Sequence, residues 1–351
     1  MFFALAITAG TRHEMARSGA AGPAQPPVLW TSVGQVEGHL ARNASPAGAF
    51  SANSATLAIV ARRGEQKVAL FNLANASIEK VLHPAVVGLK DLEIYSASFV
   101  APNRLFMMAR GAMAAKKRHG SVTPMLGFEW DTTTDSLVGK VDTIGANGFR
   151  SARYFPQIGF VGMYKQSTFD LWDPANGRGL EAKIPDLTER PRVYAFSPDG
   201  HWLILAQIEN AASQDPVVVQ LKTDQFVNSL RGHHGAVMSI AFSRDSTKVA
   251  TACEDGMIRV WSVPGWKLLH TLAGHEGPVH WAEFSPRGRW IASAGEDATV
   301  RLWSTASGQL MQTLSESRRP VLTVAFSPNG QYLAATTEHG VFIWKRIRAQ
   351  N

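Results

Sequence analysis

An all-β fold built from repeated four-stranded units is predicted by three observations. The last third of the chain repeats itself, each repeat alternates short apolar runs with tight turns, and the turn residues recur at constant offsets. The aromatic residues give the period. Trp261 and Trp303 lie 303 − 261 = 42 residues apart, and Phe242, Phe284 and Phe326 keep the same spacing. A period of about 40–45 residues carrying a Gly-His and a Trp marks one four-stranded blade of a β-propeller.

Two repeats, at about 231–272 and 273–314, are explicit. Arg231-Gly232-His233, Ala241-Phe242-Ser243-Arg244-Asp245, Ala250-Thr251-Ala252-Cys253-Glu254-Asp255 and Ile258-Arg259-Val260-Trp261 form the first. Ala273-Gly274-His275, Glu283-Phe284-Ser285-Pro286-Arg287-Gly288, Ala292-Ser293-Ala294-Gly295-Glu296-Asp297 and Val300-Arg301-Leu302-Trp303 form the next. A further unit at about 315–348 carries Ser327-Pro328-Asn329-Gly330 and ends its third run at Trp344. Proline presets φ at the second turn position and glycine supplies positive φ, which explains why these turns recur.

Upstream the pattern is eroded but countable. The fourth unit has Ser197-Pro198-Asp199-Gly200, with Gln220 where Trp would stand. Trp172 and Trp130 end the third strands of units three and two, and 172 − 130 = 42 restores the period. Unit one places Phe71 in the Trp position, and unit two is lengthened around 112–122. The total is a seven-bladed β-propeller of four-stranded antiparallel blades.

The two ends complete each other. The last unit stops at Trp344-Lys345-Arg346 and lacks its outer strand. Val28-Leu29-Trp30-Thr31-Ser32-Val33 precedes Glu37-Gly38-His39, as an outer strand precedes the Gly-His of the next blade. Residues 28–37 are therefore expected to complete the last blade, closing the ring and covering an open sheet edge. The organisation is a flexible segment at 1–27, Gly/Ala/Pro-rich towards its end, a propeller at 28–348 and a tail at 349–351.

Composition sets limits. A hydrophobic content of 45% with 18% charged residues suits a globular protein with a large core. The net charge of +7 raises the question of a nucleic-acid partner. Much of the excess lies between Arg62 and Arg118, densest at Lys116-Lys117-Arg118-His119. Aromatic residues that would stack on bases are absent from 110–120, so solvated loop charge is the plainer reading. One cysteine excludes an internal disulfide framework, and Cys253 reads as a small buried thiol in mid-strand. The apolar run at 2–9 follows no basic residue and is too short to span a bilayer, so it fits neither a secretory signal nor a membrane helix. The expected location is cytoplasmic; a truncated signal or anchor at the start would instead export or tether the protein. Asn43-Ala44-Ser45 and Asn75-Ala76-Ser77 match the glycosylation pattern, which is short enough to recur by chance.

The repeated motifs resemble those of the WD-repeat family. The resemblance implies a rigid, non-catalytic platform that binds protein or peptide partners. It also implies a buried hydrogen-bond chain through His233, Thr251, Asp255 and Trp261 in one blade, and His275, Ser293, Asp297 and Trp303 in the next. These residue types can form such a chain, since the carboxylate accepts from the imidazole and the hydroxyl joins imidazole to indole N–H. The same types build a catalytic triad, but an active site is needed once and these sets recur, which favours a structural role. Partners of the family commonly sit on the narrower top face. By position this points to Met238 and Glu254, to His280 and Glu296, and more loosely to Arg192 and Leu322.

No catalytic residue, metal ligand or cofactor is assigned, because the sequence lacks a Gly-rich phosphate loop, His-Glu-x-x-His, Cys-x-x-Cys and Gly-x-Ser-x-Gly. His233 and His234 are adjacent and in a strand would point to opposite sides. Two other functions stay open on the sequence alone. One is an RNA- or ribosome-associated module using the basic N-terminal half. The other is a propeller enzyme or small-ligand binder, which would need ionisable groups converging at the channel mouth.

Overall fold

The computed structural model describes residues 30–37, 49–60, 67–85, 89–113, 125–143, 151–155, 160–165, 168–173, 178–183, 191–208, 215–223 and 225–347. Every regular element among them is a β-strand, and the strands group into seven antiparallel sheets, six of four strands and one of three. The three-stranded first sheet, Thr56–Val60, Val68–Asn72 and Ser77–Leu82, gains a fragmentary inner strand through the bridge between Phe50 and Leu57.

The fifth and sixth sheets show how the sequence builds the unit. Val237–Phe242, Lys248–Cys253, Met257–Ser262 and Leu268–Ala273 pair in chain order, as do Val279–Phe284, Trp290–Gly295, Val300–Ser304 and Leu310–Leu314. Their second strands are near-continuous apolar runs rather than alternating ones, and both faces are buried. The outer strands alternate poorly and reach solvent.

Sheets pack face to face. Ile204 and Val218 of the fourth sheet meet Ile240 and Trp261 of the fifth. Ala252 and Ile258 of the fifth meet Val279 and Trp303 of the sixth. Leu302 meets Val324 and Trp344 of the seventh, and Ile343 and Ala334 of the seventh meet Leu57 and Phe71 of the first. Val68 and Leu70 of the first meet Met107 and Phe128 of the second. The third sheet comprises Ser151–Phe155, Phe160–Lys165, Thr168–Asp173 and Arg178–Lys183.

The first strand, Trp30–Glu37, is hydrogen-bonded to the last, Gly340–Arg346, with Trp30 opposite Arg346 and Glu37 opposite Gly340. Thr323–Phe326 and Tyr332–Thr337 complete this seventh sheet. Trp30 is buried against Phe326 and Trp290, with ring centroids 5.8 and 6.4 Å away. The Gln312 carboxamide clamps its backbone, accepting from Trp30 N–H and donating to Trp30 C=O at 3.0 Å each. The fourth strand of the last sheet thus comes from the start of the chain, as the sequence predicts.

One assignment changes. Leu203 pairs with Val219 as Ile291 pairs with Trp303, so the residue in the Trp position of the fourth sheet is Val219, fully buried, and not Gln220. The two residues are adjacent and point to opposite faces, so a slip of one exchanges core for surface. The lengthened part of unit two at 114–124, with Lys116-Lys117-Arg118, lies outside the described residues, as do 1–27, 349–351 and Asn43-Ala44-Ser45. The Asn75 carboxamide caps a turn, accepting from the N–H and hydroxyl of Ser77.

The turns between first and second strands also tie sheets together. Their fourth position requires positive φ, met by Gly200, Gly288 and Gly330 but also by Ser54 (φ 58) and Ser246 (φ 57). A non-glycine residue there carries backbone strain. At both serines the hydroxyl accepts a backbone N–H from the preceding sheet's turn, Asp199 to Ser246 and Asn329 to Ser54, each at 3.1 Å. The second bond joins the seventh sheet to the first.

Candidate binding face and the hydrogen-bond chain beneath it

The sixth sheet holds an unbroken chain of polar side chains. Trp303 Nε1–H donates to Ser293 Oγ at 2.9 Å, and Ser293 Oγ lies 2.7 Å from His275 Nε2. His275 Nδ1 lies 2.9–3.0 Å from both Asp297 oxygens. The indole can only donate and the carboxylate can only accept, so the protons are fixed in order. Ser293 donates to Nε2, and the imidazole is neutral with its proton on Nδ1. Asp297 also accepts from the Thr299 hydroxyl and from the backbone N–H groups of Glu276 and Thr299, and it pairs with Arg301.

The fifth sheet keeps half of this arrangement. Trp261 Nε1–H reaches Thr251 Oγ1 at 3.3 Å, and Thr251 lies 2.8 Å from His233 Nε2. Asp255, however, does not meet His233. The Nδ1 proton of His233 is directed to Leu230 C=O (2.9 Å) and to Asp215 (3.3 Å), which also accepts from the backbone N–H groups of Gly232 and His233. Asp255 instead pairs with Arg259 at 2.8 Å and accepts from the His234 and Met257 N–H groups.

The cause is one residue. Cys253 occupies the position of Gly295, since 295 − 253 = 42 and each faces the first residue of its inner strand. A Cβ at Gly295 would stand 2.4 Å from His275 Nδ1 and 2.7 Å from Asp297 Oδ1. The imidazole–carboxylate contact therefore exists only where this position has no side chain. In the fifth sheet the thiol takes that space, with Cys253 Sγ 3.4 Å from Gly235 C=O. Burial pushes the thiol up to about 11, so it is inert.

The seventh sheet shows what happens without the hydroxyl. Ala335 stands where Ser293 stands (293 + 42 = 335), and the buried Trp344 Nε1–H has no partner.

Burial holds His275 and His233 below the ordinary histidine range; for His275 it outweighs the opposing pull of Asp297, and for His233 the Arg259 charge adds to it. Burial opposes ionisation of Asp255, but the bonds from Arg259 and from His234 N–H prevail and hold it down to about 2. Asp297 is lowered too, with burial again outweighed, here by Thr299, Glu276 N–H and His275. All four groups contribute stability that is lost on acidification. For the histidines it is full above the unfolded value near 6.5 and falls below it, because the unfolded chain takes up protons first. For the aspartates it falls below 3.8. The urea midpoint is expected to drop between about pH 7.5 and 5.5 and again below about pH 4. A midpoint that held or rose on the first of these steps would contradict the neutral, buried histidines.

Above this chain lies the face on which the sequence places partner contacts. Glu254 and Glu296 stand in the turns between second and third strands; Met238 and His280 are the second residues of their inner strands. His280 Nε2 and Glu296 Oε2 are 2.7 Å apart at the surface, with side-chain exposures of 19% and 49%. Where Met238 replaces the histidine, Glu254 turns back and accepts the Ala236 N–H at 3.1 Å. Leu322 immediately precedes Thr323–Phe326 and is half-buried. Arg192 has its backbone in Pro191–Phe196, and its side chain lies outside the description. Glu338, in the matching turn of the seventh sheet (296 + 42 = 338), belongs with this set. The 42-residue spacing alone could have found it. Among the described residues no group of three or more His, Cys, Asp or Glu could hold a metal ion, and no helix is long and apolar enough to cross a membrane.

The geometry meets its relatives at this point. The family described as WD domain, G-beta repeat matches residues 224–262, 266–304 and 308–345. Each match begins near the outer strand of one sheet and takes in the three inner strands of the next, the frame in which Trp30–Glu37 would open the first repeat. Three WD repeats thus lie within residues 224–345. A stretch of 44 residues is 50% identical to apoptotic protease-activating factor 1 of Homo sapiens, covering 12% of this chain and 4% of that protein.

Proposed function

We propose that the chain is a non-catalytic scaffold, a closed seven-bladed propeller that presents its top face to a protein or peptide partner. Contacts run from the fourth sheet through the fifth, sixth, seventh and first to the second, and the third sheet completes the ring. The partner surface comprises Met238, Glu254, His280, Glu296 and Leu322, with Arg192 extending it to the fourth blade.

One contrast carries the reading. In the sixth sheet His275 and Ser293, the groups able to act as base and nucleophile, are sealed inside and fully engaged, with the His275 side chain at 0% exposure. The His280–Glu296 pair just above them reaches solvent, chiefly through Glu296, whose side chain is 49% exposed. The chemistry is used to fix the backbone, and the exposed groups are suited to recognition. Charge reversal by Glu254→Lys with Glu296→Lys is expected to remove partners recovered by affinity purification and mass spectrometry from the source cell. An unchanged set of partners would sink this surface.

A further inference from the structure

The opposite ends of the same sheets carry the reverse charge. In each antiparallel sheet the turns joining strands one to two and three to four fall at one end. In sheets five to seven that end presents Arg244, Lys248, Lys267, Arg287, Arg289 and Lys345. None of them forms an ion pair among the described residues; Lys345 instead lies over the Tyr332 ring. The carboxylates at this end are engaged. Asp199 and Asp245 each accept from the hydroxyl and backbone N–H groups of their own turn, and Glu283 accepts the Phe326 N–H.

The turns sit side by side, as the Asp199–Ser246 bond and the approach of Gly330 to Pro286 show. Half-buried aromatic rings lie among the cations. Trp202 meets Trp266 edge-on at 5.0 Å across the seam between sheets four and five, and Trp266 is held at a φ of 51°. Trp290 lies under the Arg346 guanidinium at 4.4 Å. Basic and aromatic groups thus share this face, which is the combination missing from residues 110–120.

We infer that this end of sheets four to seven binds a single-stranded nucleic acid. Guanidinium groups match phosphate oxygens in pairs, and aromatic rings next to them offer stacking surfaces that accept any base. An acidic peptide would satisfy the charge but brings no base to stack beside the rings. The surface is separate from the proposed partner face, which carries Glu254 and Glu296 at the other end.

The test uses the full chain, a fluorescein-labelled oligouridylate of about 20 nucleotides, long enough for one or more single-strand sites, and a polyglutamate of matched charge. The oligouridylate should bind at low salt, with log K falling linearly as log salt rises, and should change tryptophan emission. Arg244→Glu, Arg287→Glu and Arg289→Glu together should weaken binding at least about tenfold and flatten the salt slope by about 2, at roughly 0.7 per lost single-strand contact. Glu254→Lys with Glu296→Lys should leave binding intact or strengthen it. Should the triple variant fail to fold, Arg287→Gln alone, at an exposed turn position, should still reduce the slope. The inference fails if the wild-type chain does not bind oligouridylate at low salt, or if the folded variants bind as tightly as wild type. It fails equally if polyglutamate competes on equal terms with no change in emission.

Discussion

Replacing Trp30 with alanine is expected to destabilise the protein by about 3–5 kcal/mol, and deleting residues 1–38 by more. Trp30 is among the largest fully buried side chains, packed on Phe326 and edge-on to Trp290. Its removal leaves a cavity between the sixth and seventh sheets that the rigid strands around it can fill only in part. The deletion adds the loss of the hydrogen-bonded ladder from Trp30–Arg346 to Glu37–Gly340 and exposes Gly340–Arg346 as an apolar edge. Trp30→Phe keeps most of the ring and removes an indole N–H that is buried without a partner, so it should be much milder. Denaturant and thermal unfolding report all three. A truncated chain that melts like the full one would show that the strand is dispensable.

Gly295→Ala should cost about 2–3 kcal/mol despite adding only a methyl group. Glycine at this site is not required by its backbone angle; it is required by clearance, because the new carbon would fall within contact of both His275 Nδ1 and Asp297 Oδ1. The Nδ1–H bond to a charged carboxylate must then stretch or break, leaving a buried donor and a buried acceptor. A reduced urea midpoint would report the cost. Loss of the downfield Nδ1–H proton resonance of His275 would assign it to this bond. An unchanged resonance would mean that the strand shifts to make room. The fifth sheet illustrates the outcome: with Cys253 at this place, His233 turns to Asp215 and Leu230, and Asp255 to Arg259.

Periodicity made the strands, the turns and the identity of the terminal strand legible in the sequence. Trp30 could be placed because an apolar run before Glu37-Gly38-His39 repeats the order seen before His233 and His275. The side-chain partners were less accessible. Asp215 lies outside the repeated motif, 18 residues ahead of His233, and becomes its acceptor only because of the atoms that separate Cys253 from glycine. Val219 was missed by a single position on a short strand. The serines at 54 and 246 looked like substitutes for a turn glycine, and their bonds to neighbouring sheets depend on how the sheets are stacked. Spacing specifies which positions face each other, whereas clearance on the order of an ångström decides which atoms bond.

The pairing of Trp30 with Arg346 joins residues 346 − 30 = 316 positions apart. At about 5–20 residues per second, a ribosome takes roughly 15–60 s to make the second after the first. Throughout that time an apolar tryptophan strand emerges from the exit tunnel with no mate, while sheets one to six are being made. Such a long wait leaves the strand open to capture by a chaperone or by another nascent copy.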